Sequence, residues 1–109
     1  MSKYGNIRWP DSSGFMHDSK REAARANELI LMQRAGVITE LRQQVAFALI
    51  PAQKLSNGQT ERGCAYIADF TYRENGEFIV EDAKGKRTAE YIIKRKLMKY
   101  KYNIEIREV

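Results

Sequence analysis

Residues 64–82, CAYIADFTYRENGEFIVED, decide the fold that this chain is expected to adopt. An apolar run over residues 64–72 and a second run over residues 77–82 flank the dipeptide Asn75-Gly76. Asn-Gly between two strand-forming runs is the strongest short signal for a β-hairpin. The first run has apolar residues on both faces, which is typical of a strand inside a sheet. The sequence therefore predicts a hairpin whose first strand is central.

The turn also fixes which residues face each other across the hairpin. If Asn75 and Gly76 are the two turn residues, counting outward places Asp69 opposite Asp82. A four-residue loop gives the same register, whereas a three-residue loop shifts it by one. Opposed residues share a face with Cβ atoms about 5 Å apart, and Lys84, two residues after Asp82, lies on that face too. The pattern predicts two carboxylates and a lysine together at one end of the hairpin.

Two opposed carboxylates are unfavourable unless a cation lies between them. The sequence offers two candidates, the ammonium group of Lys84 and a divalent metal ion. Mg²⁺ binds oxygen ligands, often one or two carboxylates completed by water and substrate phosphate. A neighbouring lysine can then neutralise charge that develops on a phosphate. A plain salt bridge between Asp82 and Lys84, without chemistry, is the alternative.

The flanking sequence predicts two helices and two further strands. A helix over residues 19–35 stops at Gly36, a natural C-terminal cap, and an apolar strand follows over residues 45–50. After the hairpin, Thr88 caps a second helix, and a last strand starts at Ile104. The predicted order of elements is α-β-β-β-α-β.

Length and composition place the chain in the globular class. Its 109 residues are enough for one domain, and 43% are hydrophobic and 30% charged. Residues 1–17 carry Gly, Ser, Pro and Asn without a sustained period, so a flexible N-terminal arm is expected there, followed by a single domain over residues 18–109. No apolar run approaches the ~20 residues of a membrane span, so no membrane contact and a cytoplasmic location are expected.

The chain holds one cysteine, Cys64, and one histidine, His17. A single cysteine excludes an intramolecular disulfide and a cysteine-only metal site. A single histidine excludes multi-histidine zinc chemistry. The sequence identifies no partner for His17, and a lone histidine before a helix is usually structural.

Positive charge is concentrated at the C-terminal end of the chain. Residues 84–109 hold 9 basic and 3 acidic side chains, whereas residues 1–83 hold 10 basic and 11 acidic ones. A compact basic element beside a near-neutral body is typical of a surface that contacts a phosphate backbone. A solvated, lysine-rich helix face has the same composition. The candidate nucleic-acid contacts are Lys86, Arg87, Lys94, Arg95 and Lys99.

Asp69, the hairpin and the triplet Asp82-Ala83-Lys84 together resemble the signature of the PD-(D/E)XK nuclease superfamily, an acid on one strand and acid-x-Lys on the next. More closely, the chain is similar to a family of small phage and prophage proteins of uncharacterised function assigned to that superfamily. The phrases HDSKREAARANEL, YIADFTY, VEDAKG-x-x-T and KYNIEIREV carry this similarity over roughly residues 13–109. The resemblance implies a restriction-endonuclease-like α/β (α+β) fold with a small mixed sheet flanked by helices. The motif's proline before the first acid is replaced by alanine.

The resemblance also implies a role for each matching residue. Asp69 and Asp82 would bind Mg²⁺ or Mn²⁺, with the backbone carbonyl of Ala83 as a further ligand. Lys84 would be the catalytic lysine, and Glu22 matches the catalytic glutamate that many members add from the first helix. The phrase Ser-x-x-Glu that ends at Glu22 is also a capping box, in which the glutamate only satisfies the start of its own helix.

The implied function is a metal-dependent endonuclease acting on DNA, of phage or prophage origin. A chain of this size has no separate sequence-reading domain, so cutting of branched or junction DNA, as in the Holliday-junction resolvases of the superfamily, fits better than site-specific restriction. Resolvases cut both strands as symmetric dimers. If the chain is a junction-resolving nuclease, a homodimer is therefore expected. RNA stays open as a substrate. A non-catalytic nucleic-acid-binding protein on the same fold and a phage assembly or regulatory protein are the alternatives.

Overall fold

A four-stranded sheet forms the centre of the computed structural model, which describes residues 7–109. The elements in chain order are β1 (Trp9–Pro10), β2 (Met16–His17), α1 (Lys20–Arg34), β3 (Thr39–Ile50), β4 (Gln53–Lys54), β5 (Thr60–Glu61), β6 (Cys64–Glu74), β7 (Glu77–Asp82), α2 (Ala89–Tyr102) and β8 (Arg107–Glu108). The central sheet has the order β3-β6-β7-β8, and β1-β2 and β4-β5 form separate two-stranded sheets. The described chain is therefore mixed α+β.

The hairpin of β6 and β7 has the predicted register. The two strands are antiparallel, and Phe70 pairs with Glu81. Asn75 and Gly76 have φ angles of 52° and 81°, and two successive positive φ angles are what a type I′ turn requires. β6 lies between β3 and β7, so the prediction that it is a central strand is also confirmed.

The central sheet is mixed because β8 lies parallel to β7, with Arg107 beside Glu81. The other neighbours, β3 with β6 and β6 with β7, are antiparallel. A parallel neighbour needs a crossover connection, and α2 supplies it. The order α1-β3-β6-β7-α2-β8 is the predicted α-β-β-β-α-β. The restriction-endonuclease-like arrangement in particular stays a prediction.

The two helices pack into two different clusters of the hydrophobic core. α1 buries Leu29 in a cluster with Phe70 and Tyr72 of β6. α2 buries Met98 in a second cluster with Tyr66 of β6. Each fully buried side chain of this size contributes about 1.5–3 kcal/mol relative to an exposed one. β6 takes part in both clusters. The segment between Tyr66 and Phe70 therefore has a buried aromatic anchor at each of its two ends.

Both helices begin at the predicted capping residues. Ser19 Oγ accepts a hydrogen bond from the N–H of Glu22 at 3.0 Å, and Thr88 Oγ1 accepts one from the N–H of Tyr91 at 3.1 Å. Caps of this kind contribute about 1 kcal/mol each. They fix where each helix starts, and hence where Glu22 and Tyr91 lie relative to the sheet. Within residues 7–109, neither helix combines the length and the apolar character needed to cross a membrane.

Two predicted strand boundaries are wrong, and one hairpin was not predicted. β3 begins at Thr39 rather than at residue 45, because its polar residues suit a strand at the edge of the sheet, where solvent is accessible. The last strand covers only Arg107–Glu108 instead of starting at residue 104, since Asn103 ends α2 in the left-handed conformation and the chain must then turn back. The β4–β5 hairpin follows where the sequence indicated no strand.

Residues 7–17, which belong to the expected arm, include the β1–β2 hairpin with Trp9 paired to His17. His17 is 1% exposed and lies 2.5 Å from Glu22 of α1. The expected boundary between residues 17 and 18 therefore crosses a hydrogen-bonded unit. Residues 1–6 lie outside the described residues, and the flexibility of the arm stays a prediction.

Candidate active site

Asp69 lies where β6 loses its pairing with both neighbouring strands. On the β7 side the ladder ends at Phe70 and Glu81, and β7 then continues beside β8. On the β3 side the ladder passes over Gln44 and Asp69, and Gln44 has a φ of 56°, a left-handed conformation that side chains adopt rarely. The parting of the strands opens the sheet at Asp69 and at Asp82, the last residue of β7.

The carboxyl groups of Asp69 and Asp82 come close enough together for Asp82 to perturb the pKa of Asp69, in agreement with the predicted register. Asp82 is only 3% exposed, and its Oδ2 accepts a hydrogen bond from the hydroxyl of Tyr66 at 2.6 Å. Asp69 Oδ2 accepts one from the N–H of Ala83 at 2.9 Å. Each carboxyl group thus has one oxygen held by a neutral donor, which fixes the pair in place.

Burial raises the pKa of the Asp69 carboxyl to about 8, and the hydrogen bond with Asp82 and the charge of Asp82 act in the same direction. The N–H of Ala83 acts against them but is outweighed. At neutral pH the carboxyl pair therefore holds one proton. A shared proton is a third way to offset two opposed carboxylates, beside the lysine and the metal ion that the sequence indicated.

Lys84 lies beside Asp82, on the predicted face. Its Nζ is 3.3 Å from Asp82 Oδ1 and 4.1 Å from the centroid of the Tyr91 ring. With the side chain 24% exposed, the ammonium group is held between a carboxylate and a π face. The salt bridge between Asp82 and Lys84, which the sequence offered as an alternative to a catalytic site, is thus present. Asp69 adds a second carboxyl group, which has no ion-pair partner within residues 7–109.

The carboxyl pair and Lys84 open into a pocket of about 360 Å³. Polar and aromatic side chains from α1, β6 and α2 complete its lining, among them Glu22, Tyr66, Thr88, Glu90, Tyr91 and Lys94. A concave site with convergent polar groups and a strongly perturbed pKa is the first candidate for an active site in a structure. All four residues to which the resemblance assigns a catalytic role line this one pocket.

Glu22 reaches the pocket because its side chain turns away from the helix cap. Its N–H is bound by Ser19, but its carboxylate oxygen Oε2 accepts a hydrogen bond from Gln44 Nε2 at 3.3 Å and lies 2.5 Å from His17 Nδ1. The reciprocal bond of a capping box, donated by the backbone N–H of Ser19 to the carboxylate of Glu22, is not among the hydrogen bonds of residues 7–109. The geometry therefore favours a residue of the pocket wall over a helix cap alone.

His17 has two partners that the sequence did not identify. Its Nε2 is 2.8 Å from Asp11 Oδ2, and its Nδ1 contacts Glu22. Burial lowers the pKa of His17, but the hydrogen bonds with the two carboxylates outweigh burial and raise it overall. The imidazole of His17, between two carboxylates, links the β1–β2 hairpin to Glu22. No local signal predicts this link, because it depends on how the hairpin folds back onto α1.

The residues present fit a small set of metal ligands rather than a full cage. Within residues 7–109, no group of three or more His, Cys, Asp or Glu side chains is arranged to hold a metal ion. Mg²⁺ commonly needs only one or two carboxylates from the protein and takes water and phosphate oxygens for the rest. Asp69 and Asp82 match that requirement, since they share a proton that a cation can replace, and Ala83 lines the same pocket.

The candidate nucleic-acid contacts lie in three different pockets around α2. Lys94 lines the carboxylate pocket and pairs with Glu90 at 3.4 Å. Lys86 and Arg87 line a neighbouring pocket described below. The structure does not bring the remaining two to the site. Arg95 and Lys99 line a third pocket, where acidic residues of the C-terminal segment bind them: Glu108 at 3.0 Å and Glu105 at 3.0 Å, respectively.

Comparison with known proteins gives one match. The profile of the family described as "Protein of unknown function (DUF1064)" matches residues 1–108. Neither the curated proteins nor the solved structures contain a match. The family description names no fold and no activity, so the resemblance to the PD-(D/E)XK superfamily and the phage origin stay predictions.

Proposed function

The chain belongs to the DUF1064 family, and we propose that it is a Mg²⁺- or Mn²⁺-dependent endonuclease that acts on DNA. One observation carries the proposal. Two carboxyl groups, Asp69 and Asp82, are held in contact at the end of a strand pair, with the pKa of one raised to about 8 and a lysine 3.3 Å from the other. Perturbed acids in a pocket are characteristic of functional sites, because catalytic groups need pKa values matched to their task.

The chain's own residues would divide the reaction as follows. Asp69 and Asp82 would hold a divalent cation, which would supply an acidic water and neutralise phosphate oxygens. The hydroxyl of Tyr66 keeps Asp82 in one orientation. Lys84, held on the Tyr91 ring, would donate to the phosphate oxygens as negative charge builds up on them.

Glu22, which lines the same pocket, would orient or deprotonate the attacking water. A carboxylate in that role must keep one direction, and Gln44 and His17 hold Oε2 of Glu22 from two sides. The other oxygen, Oε1, has no hydrogen-bond partner within residues 7–109, which leaves it able to accept from a water. General-base help of this kind is typically worth about 10²–10⁴-fold in rate.

The proposed substrate is DNA whose shape, rather than sequence, is recognised. The basic residues near the pocket offer contacts to phosphates, which position a nucleic acid but carry no sequence information. Branched or junction DNA is therefore the proposed preference, with phage or prophage origin following the resemblance. Cutting both strands of a junction would require a homodimer. RNA is a further substrate class for the test.

The experiment is cleavage of labelled four-way-junction, flap, single-stranded and duplex DNA, and of RNA, with Mg²⁺, Mn²⁺ or EDTA. Wild type is compared with Asp82→Ala and Lys84→Ala. Matched controls are Glu77→Ala, an exposed acid of the same strand, and Lys54→Ala, an exposed lysine of β4. Metal-dependent cutting that both site variants lose and both controls keep is the expected result. Binding without cutting by any metal would overturn the catalytic proposal.

A non-catalytic nucleic-acid-binding protein is the second candidate, and one observation favours it. The salt bridge of Lys84 with Asp82, together with the proton on Asp69, already balances the carboxyl pair without a metal ion. Under this candidate, wild type and Asp82→Ala bind DNA equally and neither cuts. A protein that neither binds nor cuts would instead fit a phage assembly or regulatory role.

A further inference from the structure

A second pocket lies directly beside the carboxylate pocket, and Lys84 lines both. Its volume is about 330 Å³. The wall is formed by the first turn of α1, the loop between β7 and α2, and the end of β8, through Arg21, Gly85, Lys86, Arg87 and Glu108. A group bound in the second pocket would therefore be separated from the carboxyl pair by one side chain.

The second pocket has excess positive charge. Its acidic side chain, Glu108, is already bound by Arg87 at 2.6 Å, by Arg95 at 3.0 Å and by the hydroxyl of Tyr91 at 2.6 Å. The bond from Arg87, followed by the bond from Tyr91, lowers the pKa of Glu108 to about 2, so it stays ionised and engaged. This leaves the pocket's other cations without a balancing carboxylate.

Arg21 and Lys86 are those cations. Both are exposed, and neither has an ion-pair partner within residues 7–109. Arg21 lies in the first turn of α1, where the helix dipole favours anions and disfavours a cation. A bound anion at this place would be attracted by the two side chains and by the helix end together. A cation at the position of Arg21 is thus unfavourable in the free protein and becomes favourable when an anion is bound beside it.

We propose that this second pocket binds a phosphate group of the nucleic acid next to the phosphate that is hydrolysed. The proposal rests on the proposed function of the carboxylate pocket. Arginine suits it because the planar guanidinium donates to two oxygens of a phosphate at once. Lys84 would then lie between two consecutive phosphates, and the bound strand would run from the carboxyl pair across Lys84 to Arg21.

The test compares the double variant Arg21→Ala/Lys86→Ala with wild type in DNA binding without divalent metal, so that cleavage does not interfere. The matched control is Arg34→Ala/Lys54→Ala, which removes the same two residue types from the far end of α1 and from β4. The site variant should bind about tenfold more weakly. The slope of log affinity against log salt should fall by about 2, because two phosphate contacts are lost. The control should keep the wild-type slope.

A 5′-phosphorylated and an unphosphorylated oligonucleotide distinguish the source of the phosphate. Tighter binding of the phosphorylated end, lost in the site variant, identifies a terminal monoester. Equal binding of the two, weakened to the same extent in the variant, identifies an internal diester. A site variant with wild-type affinity and slope overturns the second pocket as a phosphate site, even where cleavage is observed.

Titration with inorganic phosphate separates this proposal from the nuclease proposal. If wild type binds no nucleic acid, the proposed function fails, but phosphate can still be followed through the amide resonances of Gly85 and Lys86. Shifts that saturate in wild type and are absent from the site variant support a phosphate pocket without a nuclease. Resonances that do not move in wild type overturn the pocket as well.

Discussion

Glu81 and Asp82 are adjacent buried acids of β7 with opposite surroundings. Glu81 is completely buried and accepts two hydrogen bonds from the guanidinium of Arg25 in α1, at 2.7 and 2.9 Å. Asp82 instead meets the carboxyl group of Asp69, and its nearest cation, Lys84, is 3.3 Å away. One acid is bound by two nitrogens of a guanidinium, whereas the other has a single lysine contact and shares its site with a second carboxyl group.

The difference indicates which of the two acids is structural. A carboxylate bound by both nitrogens of a guanidinium fork is satisfied, and here it ties α1 to the sheet. The pair of Asp69 and Asp82 is balanced only by Lys84 and by a proton, which Asp69, with its pKa raised to about 8, keeps at neutral pH. A carboxyl group with a strongly raised pKa in a pocket is better explained by chemistry than by folding. Alternation along β7 therefore separates a structural face from a candidate catalytic face.

The largest effect is expected from Asp82→Asn. We expect cleavage to fall by at least about a hundredfold, because one of the two metal-binding carboxylates is lost. The free energy of unfolding should change by less than about 1 kcal/mol, since the amide keeps an oxygen for Tyr66 and lessens the repulsion with Asp69, which offsets the loss of the ion pair with Lys84. Cleavage rates and urea unfolding of the same preparation check both parts. A parallel loss of stability would assign Asp82 to the structural face.

Glu81→Gln should show the reverse pattern. Removing the charge leaves Arg25, whose side chain is 20% exposed, without its buried counterion, and we expect a loss of about 3 kcal/mol in the free energy of unfolding. The matched control is Glu28→Gln, which removes an exposed partner of the same arginine at 3.7 Å and should cost less than about 0.5 kcal/mol. Equal stabilities of the two variants would remove the distinction between the faces of β7.

The half of the site within the β6–β7 hairpin could be predicted from the sequence. A two-residue Asn-Gly turn sets the register locally, so counting outward from the turn brings Asp69 to Asp82 and puts Lys84 beside it. The helix caps at Ser19 and Thr88 are equally local, because each is bound by the residue three positions later. Signals that depend on a few neighbouring residues can be recognised in the sequence without knowledge of the tertiary structure.

The other half of the site, around Glu22, depends on contacts between residues far apart in the sequence, which short-range patterns do not predict. Gln44 reaches Glu22 through the pairing of β3 with β6, and the long connection between those strands leaves their register undetermined by any turn. Asp11 and His17 meet Glu22 only after the β1–β2 hairpin folds onto α1. The raised pKa of Asp69 follows chiefly from burial, which a pattern of residue types does not measure.

The link from His17 to Glu22 gives a pH-dependent prediction. The folded-state pKa of His17 is raised, so its charge stabilises the fold fully below about pH 6.5, the value for an unfolded histidine, and the contribution is lost as pH rises through the folded pKa. His17→Gln should therefore lower the free energy of unfolding by about 2 kcal/mol at pH 5.5 and by less at pH 9. The charged groups that contact His17 are Asp11 and Glu22.

Urea unfolding at the two pH values measures this difference. Arg8→Gln is the control, since it removes an exposed ion pair with Asp18 at 3.4 Å from the same part of the chain and should cost less than about 0.5 kcal/mol at either pH. A His17→Gln variant that is destabilised equally at both pH values would mean that His17 acts as a neutral hydrogen-bonding group.

The smallest effect concerns the proton on the carboxyl pair and its competition with metal. Below the raised pKa of Asp69, about 8, a cation must displace the shared proton, so its apparent affinity should rise by about tenfold per pH unit up to that value. We expect Mg²⁺ to raise the melting temperature by a few degrees more at pH 8.5 than at pH 6. Asp69→Asn should abolish the difference, whereas Glu77→Gln, at an exposed position of β7, should keep it. Equal shifts at both pH values would mean that the cation binds without displacing this proton, and therefore away from the face of β7 that carries Asp82.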